Sequence, residues 1–136
     1  MGDRANVWIR EDDKDGGVWL YTHWAGSELP GYLQEALVLA DETGRLTDLP
    51  YLGRIIFCRM IQGPNTDLYE AGKELTETTG YGISSKLGDG GHRVLEIIDG
   101  KVIWVDFDFN PDKPIRTWTF QEYIDDEGVP ELWEDQ

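Results

Sequence analysis

The sequence predicts an α+β domain: a mainly antiparallel sheet with two helices packed on one face. Three observations carry this expectation. Apolar and polar residues alternate in the first and last thirds, two apolar stripes at helical spacing lie between them, and Asp99-Gly100 marks a tight hairpin. The 136 residues are 40% hydrophobic and include six Trp, six Tyr and four Phe, enough for one domain with a substantial core.

In order, "RANVWIR" (4–10) alternates, with Ala5, Val7 and Ile9 pointing one way and Asn6, Trp8 and Arg10 the other. "VWLYTHW" (18–24) follows across the charged turn "EDDKDGG", so residues 4–24 read as a hairpin. Leu29, Leu33, Ala36, Leu37 and Ala40 mark a helix over 29–43, with Ser27 as its cap, Pro30 in its first turn and Gly44 as its stop. A second helix over 49–62 carries the stripe Leu52, Ile55, Ile56 and Met60; Thr47 or Asp48 caps it and Gly63-Pro64 ends it. Residues 65–80 have no clean period and read as a long loop. Strand signals return over 81–108: "YGISSKL" and "HRVLEII" flank the turn "GDGG", and "KVIWVDFDF" pairs through Asp99-Gly100. Asn110-Pro111 and Pro114 break the chain before a short strand at 115–118, and Thr119 caps a helical turn "FQEYID". The domain is expected over 1–124, with 125–136 as an acidic tail.

The formal net charge of −15 repels nucleic acid and anionic membrane and favours basic partners or cations, so direct nucleic-acid binding is not expected. Cys58 alone excludes an internal disulfide framework and fits a reducing, cytoplasmic setting; within the helix it reads as a buried, inert thiol. The charged start is not a signal peptide, and Arg54 and Arg59 interrupt the most apolar helix, so no membrane span is expected.

Few patterns carry chemistry. "EDDKDG" opens like a calcium loop, but Glu11 stands in place of Asp and Thr22 takes the closing position. Asp106 and Asp108 share a strand face about 7 Å apart, and with Glu96 they are the weak metal candidates. No zinc spacing, nucleophile elbow, Walker loop or dinucleotide fingerprint occurs, and no cofactor is expected. The better corner is "LYTHWAGSELPGYL" (20–33). Alternation places Trp19, Tyr21 and His23 on one face and Val18, Leu20, Thr22 and Trp24 on the other. The plain reading has His23 bonding a backbone carbonyl and Trp24 stapling the helix start. The functional reading is a pocket of Tyr21, His23, Trp24, Arg54 and Tyr81, with aromatics for a flat base and Arg54 for phosphate.

The segments "MGDRAN", "YTHW", "ELP", "LGRIIF" and "TGYGIS", in this order, resemble a group of small proteins of tailed phages and actinobacteria over most of residues 1–85. The resemblance implies a cytosolic, phage-encoded accessory protein and attaches no activity, cofactor or site residue; a role against host defence is the expectation that a phage origin would add. The leading expectation is a non-enzymatic binding protein sequestering a small nucleotide-like ligand. The alternative is an acidic interaction module that imitates DNA phosphates towards a basic host protein, with Asp106, Asp108, Asp112, Asp125 and Asp126 clustered on one surface. A metal-dependent hydrolase comes last.

Overall fold

The computed structural model describes residues 2–11, 16–63 and 80–134. The calcium-like loop at 12–15 and most of the long loop at 65–80 lie outside the described residues. The elements are β1 (Ala5–Ile9), β2 (Val18–Thr22), α1 (Leu29–Glu42), α2 (Leu49–Gln62), β3 (Tyr81–Ser84), β4 (Val94–Ile98), β5 (Lys101–Asp106), β6 (Asn110–Thr119) and α3 (Phe120–Asp125), then a 3₁₀ turn at Val129–Glu131.

The six strands form one sheet in the order β3-β2-β1-β4-β5-β6. All neighbours are antiparallel except β1 and β4. The α+β class, the β1–β2 hairpin and both long helices stand as expected. Alternation assigns the faces. Ala5, Val7, Ile9, Leu20, Leu95, Ile97 and Val102 meet the apolar stripes of α1 and α2, where Leu33, Leu37, Leu52 and Ile56 are wholly buried. Each such leucine, isoleucine or valine contributes roughly 1.5–3 kcal/mol. On the second face, Trp8 and Trp19 sit directly opposite in register and stack at 4.5 Å, with the Phe107 ring edge-on to both. Asp99 and Gly100 have φ of 51° and 73°, the positive pair that a two-residue hairpin turn demands.

Several local expectations are corrected. Ser27 does not cap α1; Glu28 holds that position without a side-chain bond, because Asp3 takes both the Ser27 amide and its hydroxyl. Asp48 stands at the start of α2, but its carboxylate pairs with Arg45 at 3.2 Å and caps nothing. Cys58 is exposed, since it lies about 120° round the helix from Leu52. β3 pairs with β2, not with β4. Segment 85–91 therefore crosses the second face: Gly88 lies against Tyr21, and the Asp89 carbonyl accepts a bond from Asn6 Nδ2 at 2.7 Å. The strand expected at 115–118 runs over ten residues, and Pro111 and Pro114 are tolerated because β6 is an edge strand. Of the expected acidic tail at 125–136, the described residues 125–134 pack onto the domain. Val129 and Trp133 are fully buried, and Trp133 meets Trp104 edge-on at 5.9 Å.

Candidate binding site

The five residues expected around one pocket fall on two faces of the sheet. Tyr21 and His23 belong to the second face. The Tyr21 hydroxyl lies 2.8 Å from His23 Nδ1, and Arg4 Nε donates to the same nitrogen at 3.4 Å. Burial, opposed by the nearby Arg4 charge, raises the Tyr21 phenol above its ordinary pKa, so it stays a donor. Gly2 packs against the ring of His23 so closely that a Cβ there would come within 2.9 Å of Nε2. The imidazole is therefore held by a phenol and a guanidinium, not by the expected carbonyl. Trp24 meets it edge-on at 4.3 Å and is 63% exposed.

Tyr81 pairs in register with Thr22 and packs on the core beneath the helices. Arg54 is on α2, on that helical side. The sheet thus separates Tyr81 and Arg54 from Tyr21 and His23, because neighbouring residues of a strand point to opposite faces.

The metal candidates separate too. Glu96 is buried against Arg10, whose Nε donates to it at 2.9 Å. Asp106 accepts the Phe109 amide at 3.0 Å, and Asp108 faces His92 at 3.5 Å. Among the described residues, no three His, Cys, Asp or Glu side chains are grouped to hold a metal ion. Of the five aspartates that would imitate phosphates, Asp126 is drawn inward, accepting from Trp118 Nε1, Arg116 and the Gly128 amide.

What α2 does offer is a pair of adjoining grooves, each of about 320 Å³. Arg54 and Cys58, one helical turn apart, border both. One groove is lined by Arg45, Arg54, Arg59, Tyr51, Thr43 and Gln62, together with Leu39 and Ile55. Arg45 lies over the Tyr51 ring at 4.2 Å and pairs with Asp48; Arg59 pairs with Glu35 at 2.5 Å and donates to the Gly63 carbonyl. Arg54 has neither kind of anchor. Among the described residues it is the one arginine outside an ion pair, and its guanidinium reaches only Cys58 Sγ, at 3.9 Å. The other groove is almost wholly apolar, walled by Ile9, Val18, Leu20, Pro50, Phe57 and Ile83.

Sequence reasoning found Arg54 and missed Arg45, Arg59 and Tyr51. A signal was present: residues 43–63 contain three arginines and a single acid, Asp48, in a chain with 27 acids and 12 bases. No family model, curated protein or solved structure matches the chain. No helix among the described residues is long and apolar enough to cross a membrane.

Proposed function

We propose that this is a non-enzymatic binding protein that sequesters a small phosphate-bearing ligand, and that its site is the arginine-lined groove on α2. The observation that carries this reading is Arg54, an uncompensated guanidinium beside Arg45 and Arg59 in a strongly acidic chain. Salt bridges elsewhere hold the other described arginines in place; this one is left to meet an anion from outside. A guanidinium presents a planar fork of donors that matches two phosphate oxygens at once. Arg45, fixed on Tyr51, and Arg59, fixed by Glu35 and Gly63, supply further donors at low ordering cost. Sequestration requires tight contacts and no nucleophile.

Isothermal titration with inorganic pyrophosphate and with ATP tests the reading. Binding to the wild type is expected, with roughly tenfold or greater loss in Arg54→Gln, the scale of one charge-assisted hydrogen bond. The absence of heat with either ligand, or equal affinity in Arg54→Gln, would overturn it.

A further inference from the structure

The apolar groove on the other side of Arg54 defines the rest of the ligand. We infer that the protein binds a soluble alkyl or acyl phosphate: the phosphate lies on Arg54 among the arginines, and the aliphatic chain lies along Phe57, Leu20, Val18 and Ile83. This rests on the anion-binding reading above and extends it from a charge to a chemical class.

Two observations carry it. Arg54 and Cys58 line both grooves, so a phosphate held on Arg54 stands at the rim of the apolar groove, with its chain free to run into it. The walls of the second groove also leave Val18 43% and Ile83 61% exposed, an apolar surface with an uncompensated cation at its rim. Charge and apolarity side by side match an amphipathic anion. A nucleobase fits less well, because it brings edge donors and acceptors that this groove has almost no polar groups to meet. A volume of about 320 Å³ takes a short chain. At about 30 Å³ per group, the liquid share of a water molecule, it holds roughly ten methylene-sized units.

The test is titration of the full chain with inorganic phosphate and with butyl, hexyl and octyl phosphate as monomers. Affinity is expected to rise roughly three- to fourfold per added methylene. Arg54→Gln should weaken the whole series. Gly53→Met should remove the chain-length gain and leave phosphate binding intact. A Cβ at Gly53 meets nothing nearer than Ile9 Cδ1 at 3.5 Å, so a longer side chain there grows into the groove, and methionine favours the helix over glycine. If phosphate binds through Arg54 and octyl phosphate binds no tighter, this inference fails while the anion site stands. A chain-length gain that survives in Gly53→Met also overturns it, as does binding confined to anionic phospholipid vesicles. If no member of the series binds while pyrophosphate does, this inference fails alone; if pyrophosphate and ATP also fail to bind, both readings fall.

Discussion

At the scale of single residues, what decides each charged group is whether a partner inside the chain already occupies it. Asp3 and Asp126 show the occupied case. Burial pushes the Asp3 carboxyl upward, but the Ser27 hydroxyl and amide and the Arg93 guanidinium outweigh it and hold the group below its usual range. Asp126 is held low first by the Trp118 indole and the Gly128 amide, with Arg116 adding to them against desolvation. A carboxylate whose folded pKa is depressed stabilises the native state at pH above its unfolded value near 4, and that stabilisation is lost as pH falls through the folded pKa. The urea midpoint is therefore expected to fall between about pH 4 and pH 2, and to fall less steeply in Asp3→Asn/Asp126→Asn. An equal slope in the two proteins would show that these carboxylates do not carry the acid sensitivity. Arg54 is the unoccupied case. Its position in the helix was legible from the sequence; its lack of a partner was not. Pairing depends on contacts such as Arg59 with Glu35, 24 residues apart, which no local pattern encodes. The same limit undid the expected pocket. Alternation separated Tyr21 from Thr22 correctly, yet only the β2–β3 register places Tyr81 beside Thr22 on the helical face.

At the scale of elements, the protein uses its last residues as a structural part. Thr119 and Glu122 form a reciprocal capping box that starts α3 directly from β6. The Tyr123 hydroxyl donates to the Pro30 carbonyl at 2.8 Å, and Gln34 Nε2 donates to the carbonyls of Tyr123 and Asp126, which locks α3 to α1. Trp133 follows, fully buried against Trp104, with its carbonyl accepting from Arg93 at 3.0 Å. Trp133→Ala is expected to cost about 3–5 kcal/mol, the range for removing a large buried aromatic. Thermal or urea unfolding measures it, and a loss under about 1 kcal/mol would mean that the segment contributes little. Both long helices and the Asp99-Gly100 hairpin could be read directly because period, proline and turn residues are local signals. Acidic composition disguised the C-terminal segment: Asp125, Glu127, Glu131 and Glu134 face water while Val129 and Trp133, spaced four apart, face the core. The extent of β6 was hidden for a related reason. Proline breaks a strand only where its missing N–H is needed, and edge position is a property of the finished sheet.

At the scale of the whole molecule, the proposed site opposes its own surroundings. A chain with a net charge of −15 repels an approaching phosphate, while Arg45, Arg54 and Arg59 attract it once it arrives. The two effects differ in range. The field of the entire chain acts over tens of ångströms and is screened as the Debye length shrinks from about 30 Å at 0.01 M salt to about 8 Å at 0.15 M. The guanidinium contacts form at hydrogen-bonding distance and are screened far less. Added salt should therefore speed association, the reverse of the usual behaviour of an anion meeting an arginine site. Stopped-flow measurement with an alkyl phosphate is expected to show the on-rate rising several-fold between these two salt concentrations, with the off-rate changing less. A falling on-rate would mean that the three arginines dominate the approach path as well as the contact. Arg54→Glu separates these cases further. It should abolish binding at every salt concentration, because lowering long-range repulsion cannot replace the one described arginine that no ion pair occupies.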